Sequence, residues 1–435
     1  MIVPQHHAML RLGLALLILL TANAAHADVP RVNCAAPHQR DLDLNPRAEG
    51  PLRLATIHCQ PFYSQSGLVF GAPLVSPDAQ SIAFLLGKEQ LLVARLDGGK
   101  TFTEFPAVLG TFTQFGSNFR SVHAFAWRSD SKAVWTGTHE MAQGGFPRTP
   151  LRPVQAEDGG LTPLPALRHD AGPLDGLLWI GGDGLALVHF GTRGSFYRPA
   201  VYEDRTPTLA IVDAQRGVVL DALPFDAVES LKNRGPRTPP YVLVRDAAAT
   251  LRDGKVRALL DIGFGEWLAW SQGQPPRVLA NPYGREMHNR MAISPDGTRV
   301  LIGRLLRTEG GRCDLTKGCR PGTPVEGILA ALHDLDTGAL VWSLRATVAN
   351  DHEFPAPVIS PDGRYALIGL VPDGERLLIG LVSMQDGKTV QTVPAPGADY
   401  TMGFVRGGQI GWIHAYGVTA LYDMQSAAPA PPAAR

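Results

Sequence analysis

A four-residue phrase recurs in this chain and constrains its fold more than any other feature. It reads Ser294-Pro295-Asp296-Gly297 and Ser360-Pro361-Asp362-Gly363, with a degenerate copy at Ser76-Pro77-Asp78. Each copy separates an apolar stretch from a second run of β-forming residues, which is typical of a tight turn within an antiparallel sheet. Self-similarity at a period of a few tens of residues indicates a repeat architecture. The sequence therefore predicts a fold, while it names no ligand and no reaction.

The acidic residue of this turn marks further copies along the chain. Related strand-turn-strand units lie around Asp78, Asp130, Asp183, Asp253, Asp296 and Asp362. A seventh unit, residues 404–409, keeps the pattern but has no Asp. Because the markers are roughly 40 to 70 residues apart, each step has room for one four-stranded blade. We predict an all-β fold, a seven-bladed β-propeller over residues 51–425.

The ends of this array and its two longest steps need their own explanation. Residues 52–58 form a β-like run ahead of the first blade, and the last unit is one strand short. Using that run as the outer strand of the last blade closes the ring and leaves no unpaired edge. One long step contains a capping box from Asp226 to Glu229, which predicts a short helical insertion. The other contains the loop between Cys313 and Cys319.

These turns resemble the TolB-type and WD40-like (PD40) propeller repeats, whose unit carries the same Ser-Pro-Asp-Gly turn between its first two strands. The resemblance covers most of the chain after residue 50 and implies the propeller fold. Two copies of the turn are complete, and the Trp-Asp dipeptide of true WD40 repeats does not occur. TolB proteins also have an N-terminal α/β domain, for which this chain has no room, so the resemblance is carried over to the fold and not to TolB's role.

The first residues have the features of an export signal. A weakly basic start is followed by an apolar run over residues 12–22 and by the small-x-small site Ala25-His26-Ala27. The apolar run is too short for a membrane anchor. We predict a signal peptide at 1–27, an N-terminal extension at 28–50, and a disordered Ala/Pro tail at 426–435. The protein is then expected in the periplasm or secreted, without a membrane anchor.

Four cysteines occur in this chain: Cys34, Cys59, Cys313 and Cys319. Disulfides persist in exported proteins, and four cysteines allow three pairings. Proximity along the chain favours Cys34 with Cys59 and Cys313 with Cys319. A zinc site is the alternative for the second pair, but the loop between its cysteines contains no His.

Charge and motifs exclude several function classes. The chain has 40 basic and 40 acidic side chains, with no basic stripe that would follow a nucleic-acid backbone. It contains no Gly-x-Ser-x-Gly nucleophile elbow and no Cys-x-x-Cys-His haem site. Residues 97–102 resemble the Asp-box of sialidase-like propellers, but a single copy is typical of a structural turn. No cofactor is indicated.

Propellers commonly bind ligands on the face formed by the loops that enter the first strand and the loops that join the second and third strands. Placing this chain on that plan gathers imidazoles, carboxylates and guanidiniums there: His123, His139, Glu140, His189, Arg193, His288, Arg304, Arg307, His352 and Glu353. Neutral imidazole with carboxylate suits a metal ion, whereas Arg with protonated His suits an anion. Rim loops are polar in any case, so these residues are also consistent with a solvated surface.

Two functions from different classes follow. The first is a non-enzymatic, monomeric propeller that binds a protein, a peptide or a small polar ligand at its channel face. The second is a metal-dependent hydrolase or lyase at the channel mouth, using His123, His288, His352 and Glu353.

Overall fold

A computed structural model of the chain divides it into two units, Met1–Leu42 and Asp43–Arg435. All described residues belong to the second unit. The structure describes residues 43–59, 73–86, 90–96, 103–105, 125–137, 140–141, 147–148, 151–160, 162–171, 174–190, 206, 208–229, 244, 246–263, 265–283, 289–304, 312–314, 318–320, 325–348, 355–373, 376–396, 400–415 and 417–425.

The described residues form nine antiparallel sheets, of which seven are the blades of a β-propeller and two are two-stranded hairpins. The chain begins with β1 (Leu52–Cys59). Blade 1 contains β2 (Leu74–Val75), β3 (Ser81–Leu86), β4 (Gln90–Arg95) and β5 (Thr103–Phe105). Blade 2 contains β6 (Phe125–Trp127), β7 (Ala133–Gly137) and, after a hairpin of β8 (Glu140–Met141) and β9 (Pro147–Arg148), β10 (Leu151–Gln155). Blade 3 contains β11 (Leu174–Ile180), β12 (Leu185–Phe190), β13 (Thr208–Asp213) and β14 (Val218–Pro224).

Blades 4 to 7 complete the array. Blade 4 contains β15 (Asp246–Arg252), β16 (Lys255–Gly263), β17 (Glu266–Ser271) and β18 (Arg277–Ala280). Blade 5 contains β19 (Asn289–Ile293), β20 (Arg299–Arg304) and, after a hairpin of β21 (Arg312–Asp314) and β22 (Gly318–Arg320), β23 (Val325–Asp334) and β24 (Leu340–Val348). Blade 6 contains β25 (Val358–Ile359), β26 (Tyr365–Asp373), β27 (Arg376–Ser383) and β28 (Thr389–Pro394), and blade 7 contains β29 (Thr401–Val405), β30 (Ile410–Ala415) and β31 (Val418–Met424).

The first strands of the blades form a closed inner circle. Contacts run from β2 to β6, β11, β15, β19, β25 and β29, and from β29 back to β2. The seventh sheet has the order β1-β31-β30-β29, so β1 is its outer strand. Leu52 is opposite Met424 and Cys59 is opposite Val418. The predicted seven blades and the predicted closure by the first strand are both confirmed.

The repeated turns owe their geometry to one local network. In blade 5, the Ser294 hydroxyl donates to Asp296 Oδ1 at 2.5 Å and accepts from the backbone N–H of Arg299 at 2.9 Å. Asp296 Oδ1 also accepts from the backbone N–H of Thr298 at 3.0 Å. Ser360 with Asp362, and Ser76 with Asp78, make the equivalent hydroxyl bond at 2.6 Å. Side chains thus satisfy backbone donors that the turn leaves without a ladder partner.

Neighbouring blades pack through apolar clusters on both of their faces, which explains the near-continuous apolar strands. Tryptophans also connect the blades by hydrogen bonds. Trp127 Nε1 donates to the Leu74 carbonyl at 2.8 Å, and Trp135 Nε1 donates to the Gly182 carbonyl at 3.1 Å. Buried indoles therefore fill the space between blades and satisfy their N–H groups there.

The helical insertion after blade 3 begins differently from its prediction. It opens with a 3₁₀ turn, Phe225–Ala227, which follows Pro224 and has no side-chain cap. Glu229, the last described residue of this segment, is α-helical. Asp226, the predicted cap, lies within this turn, and its carboxylate accepts from the Thr206 hydroxyl at 3.3 Å. Phe225 packs into the apolar cluster between blades 3 and 4, and this contact holds the 3₁₀ turn against the blades. Residues 230–243 lie outside the described part. No described helix is long and apolar enough to cross a membrane.

A segment ahead of β1 contacts β28, the outer strand of blade 6, and β31 of blade 7. The backbone N–H of Arg47 donates to the Thr392 carbonyl at 2.7 Å, and the Tyr422 hydroxyl donates to the Leu44 carbonyl at 3.0 Å. Gln391 is buried and fastens the segment: its Oε1 accepts from the Leu52 N–H at 2.8 Å, while its Nε2 donates to the carbonyls of Ala48 and Leu52. We call residues 43–51 the N-terminal strap.

Candidate functional site

The antiparallel blades give the propeller two faces with different loops. We call the loop face the one that holds the entries into first strands and the connections from second to third strands. The turn face holds the repeated turns and the turns from third to fourth strands. Sequence reasoning placed the candidate site on the loop face.

Most of the predicted site residues lie outside the described part of the chain: His123, His139, Arg193, His288, Arg307, His352 and Glu353. Glu140 begins β8 and Arg304 ends β20, so both belong to strands at a loop-face connection. His189 lies within β12, where it is buried and its ring is 5.5 Å from that of Phe225. The proposed role of this set in binding, and the metal-dependent alternative built on part of it, stay predictions.

The cysteines are placed by backbone register. Cys59 ends β1, and Cys34 lies outside the described residues. Cys313 and Cys319 are direct partners across the β21–β22 hairpin. Directly opposite residues of an antiparallel pair have Cα atoms about 4.5 to 5.5 Å apart, which lies within the range of Cα separations in disulfides. This register is compatible with the predicted second pair, and both pairings stay predictions.

The described loop face contains a polar row that was not predicted. Asp246 begins β15, the inner strand of blade 4, and its register partner in β16 is Asp261. Asp261 in turn is the partner of Trp267 in β17. Direct partners project to the same side of a sheet, so all three side chains share one side of blade 4. Trp267 packs against blade 5, which places the row in the interface between these blades.

Asp246 connects the two blades directly. Its Oδ2 accepts from the backbone N–H of Met291 in β19 at 3.0 Å, and its Oδ1 accepts from the N–H of Ala247 at 3.0 Å. The residue keeps part of its surface accessible to solvent. The guanidinium of Arg290, next to Met291, is near enough to act on the Asp246 charge. An inner-strand carboxyl of blade 4 thus lies near enough to a guanidinium of blade 5 for their charges to interact.

The electrostatics of this row favour a carboxyl group that titrates near neutrality. The pKa of Asp246 is raised to about 7. Burial among protein atoms is the main cause and the charge of Asp261 adds to it, while Arg290 and the two backbone N–H bonds oppose the shift. Asp261 is itself buried, with Oδ1 accepting from the Gly263 N–H at 2.9 Å. Asp246 can therefore donate or accept a hydrogen bond at physiological pH.

A second polar group lies farther along the same interface. The His333 ring donates from Nδ1 to the Gly338 carbonyl at 2.9 Å, so its Nε2 accepts from the Tyr283 hydroxyl. The His333 ring also meets Trp267 edge-on at 5.3 Å. Trp267 is fully buried, and its Nε1 finds no hydrogen-bond partner within the described residues. The interface between blades 4 and 5 is thus richer in polar groups than an apolar blade contact requires.

We refer to Asp246, Asp261 and Arg290 as the inner polar cluster. The described residues contain no group of three or more His, Cys, Asp or Glu that could hold a metal ion. The inner polar cluster suits a ligand with hydroxyl, amine or carboxylate groups. One signal in the sequence could have found it: Asp261 interrupts the apolar run Leu259-Leu260-Asp261-Ile262, and a charge in a buried strand has to be compensated.

Replacing Asp246 by Asn is expected to flatten the pH dependence of stability. A carboxyl with a raised folded-state pKa contributes stability that is full below its unfolded pKa of 3.8 and is lost as the pH rises through about 7. Relative to Asp246→Asn, the wild type should therefore become less stable between about pH 4 and pH 8. Because Asp246 is partly accessible to water, we expect a change of about 2 kcal/mol, less than the full shift would give.

Urea unfolding at four pH values measures this difference. Burial lowers the pKa of His414 to about 3 and lowers that of His333, so both rings remove stability as the pH falls below about 6.5. Both histidines are present in wild type and variant, and their contribution cancels in the comparison. Parallel curves for the two proteins would show that Asp246 is ionised throughout this range.

The comparisons with known proteins leave the family open. No family model matches this chain, and no curated protein matches it either. The likeness of its turns to TolB-type repeats therefore has no support beyond the residues themselves. The architecture alone classifies the chain, and it shows a propeller repeat protein of seven blades.

Proposed function

We propose that this chain is an exported, non-enzymatic binding module that takes a small polar ligand or a peptide segment on its loop face, over the inner polar cluster. The observation that carries the proposal is the proximity of Asp246 and Asp261, on the first two strands of blade 4, to Arg290 on the inner strand of blade 5. Both signs of charge are present there, on strands whose positions are fixed by the closed ring.

The scaffold supports binding rather than a moving mechanism. Because the inner strands contact each other around the whole circle, side chains on them are held by two neighbouring blades at once. Side chains that are already held in place lose less conformational entropy when a ligand binds, so less of the binding free energy is spent on ordering them. A propeller fold alone assigns no chemistry, so the proposal depends on the cluster and not on the architecture.

Export and oligomeric state belong to the same proposal. Residues 1–27 have the pattern of a cleavable signal, and the four cysteines fit an oxidising compartment. We propose a monomer in the periplasm or outside the cell, whose Cys313–Cys319 hairpin is closed by a disulfide. The formal charge balance gives no reason to expect nucleic acid as a partner.

A ligand screen tests the proposed site. Amino acids, polyamines, sugars and short peptides are screened by thermal shift, and each compound that stabilises the wild type is titrated by calorimetry. We expect its affinity to fall about tenfold or more in Asp246→Asn and in Arg290→Gln, since each removes a partly buried polar contact. Arg216→Gln, an exposed change in blade 3, is the matched control and should leave the affinity unchanged.

Two results would contradict the proposal. Ligands whose affinity ignores both substitutions bind elsewhere on the protein. Conversion of a bound compound into product by the purified chain would replace the binding module by an enzyme.

A further inference from the structure

A separate cavity lies between blades 4 and 5 on the turn face. It has a volume of about 560 Å³ and is built from the turn between β15 and β16, the turn between β17 and β18, and Asp336 in the turn between β23 and β24. Its position at these turns separates it from the inner polar cluster, which lies at the loop-face ends of the strands. Nothing in the proposed function uses it.

The lining of this cavity is strongly basic. It contains four cationic side chains and two anionic ones: Arg252, Lys255, Arg257, Arg277, Asp253 and Asp336. The net charge of the lining is therefore +2, in a chain that is neutral as a whole. Local charge of one sign in a concave surface raises the concentration of ligands of the opposite sign. We call this cavity the basic basin.

Asp336 sets the positions of two of the guanidiniums. Its Oδ1 accepts from both Arg257 Nη2 and Arg277 Nη2, and its backbone carbonyl accepts from Arg277 Nη1 at 2.6 Å. The turn that carries Asp336 is itself fixed by Asp334, whose Oδ1 accepts from the N–H of Asp336 at 3.0 Å. Bonds from the Thr337 hydroxyl and N–H lower the pKa of Asp334, so this turn is braced by a carboxylate over the whole neutral range.

The stems of Arg252 and Arg257 are aligned by the repeated turn of the next blade. A Cβ built on Gly297 would lie 3.3 Å from Arg257 Cδ and 3.4 Å from Arg252 Cδ. The two stems therefore pack side by side over the same glycine, whose φ of +66° also favours this residue type. The turn motif that defines the fold thereby also orders the wall of the basic basin.

Donors remain available on these ordered cations. A guanidinium has five N–H groups, and Arg257 uses one of them on Asp336 within the described structure. Arg252 has one ionic contact there, at 3.7 Å to the largely exposed Asp253, and Lys255 makes no ion pair with a described residue. Several N–H groups thus face the same cavity without an acceptor among the described residues.

From this geometry we propose that the basic basin binds a soluble oxyanion with at least two negative charges, such as a phosphorylated or polycarboxylated small molecule. Planar guanidiniums match the oxygen pairs of phosphate and carboxylate groups. The volume is in the range of cavities that take small-molecule ligands. Asp336 acts as a positioning residue, since it holds two guanidiniums in place and also reduces the charge that the ligand meets.

Titration calorimetry with inorganic pyrophosphate and with citrate tests the proposal. We expect the double variant Arg252→Gln/Lys255→Gln to bind pyrophosphate about tenfold more weakly, because it removes the two cations that are least neutralised by the protein. Asp336→Asn keeps an oxygen that accepts from both guanidiniums but removes its charge, and should bind about threefold more tightly. Raising the salt concentration should weaken binding to all these proteins.

The matched control is Arg345→Gln, which removes an exposed arginine from the outer strand of blade 5, where its partner is Glu326 at 3.8 Å. It should bind pyrophosphate like the wild type, and unchanged melting temperatures will show that all variants are folded. Equal binding by the wild type and the double variant would overturn the proposal, as would weaker binding by Asp336→Asn. Retention on phosphatidylglycerol vesicles without pyrophosphate binding would overturn the assignment to a soluble ligand.

Discussion

A chain that begins after Ile57 is expected to lose the stability of the whole ring, and not only of its first blade. The deletion removes most of β1 and the entire N-terminal strap, including Leu44 and Leu52, both of which are buried. It also leaves β31 as an unpaired edge beside the remaining residues of blade 7. From the two leucines and the lost ladder we expect destabilisation of about 5 kcal/mol or more.

Calorimetric melting measures this effect, with a second truncation as its control. A chain that begins at Asp43 keeps the strap and β1. Both truncated chains lack Cys34, so any loss from the predicted Cys34–Cys59 bond cancels between them and their difference measures the strap and β1. The longer deletion should lower the melting temperature by about 10 °C or more, or abolish cooperative unfolding. Equal melting temperatures for the two truncated chains would mean that blade 7 is stable with three strands.

Gln391→Leu is expected to destabilise the protein by about 3 kcal/mol. The Gln391 amide satisfies the N–H of Leu52 and the carbonyls of Ala48 and Leu52, and the residue is 3% exposed. Leucine has a similar volume but no polar atoms, so the substitution removes this partner from the N–H and carbonyl of Leu52 and from the carbonyl of Ala48. The loss is large at Leu52, which is buried, because a buried unpaired group forfeits its bond to water as well.

Gln385→Leu is the matched control for this substitution. Gln385 lies exposed in the turn between β27 and β28 of the same blade. We expect a change within about 0.5 kcal/mol for it in urea unfolding. A similar loss for both variants would show that the effect comes from leucine in blade 6 and not from release of the strap.

The parts of the fold that were predictable from sequence are those fixed by local chemistry. Ser294 and Asp296 bond to each other and to backbone N–H groups within five residues. The turn can therefore be predicted wherever the Ser-Pro-Asp-Gly motif occurs. Closure was predictable for a different reason: an unassigned β-like run and an incomplete last blade can satisfy each other. The 3₁₀ turn ahead of the predicted helical insertion was less accessible, since the burial of Phe225 between two blades is a tertiary contact.

The inner polar cluster depends on tertiary register, which sequence spacing does not reveal. Asp246 precedes Ala247-Ala248-Ala249, a strand without a recognisable motif. Its place in the cluster is set by Asp261, its register partner, and by the N–H of Met291 in the next blade. The basic basin is similar, because Arg252, Arg277 and Asp336 come from three turns. The sequence prediction concentrated on histidines of the loops, most of which lie outside the described residues.

The pairing of β1 with β31 has a consequence for the order of folding events. Residues 52–59 pair with residues 418–424, so the last backbone ladder of the ring forms only after almost all of the chain has been synthesised. Until then β1 and the inner edges of the unfinished ring are open to wrong partners, including other copies of the chain. Contacts of such long sequence separation are also slow to form. The chain therefore reaches its native state late. A protein that crosses a membrane unfolded through a narrow channel has to meet this condition.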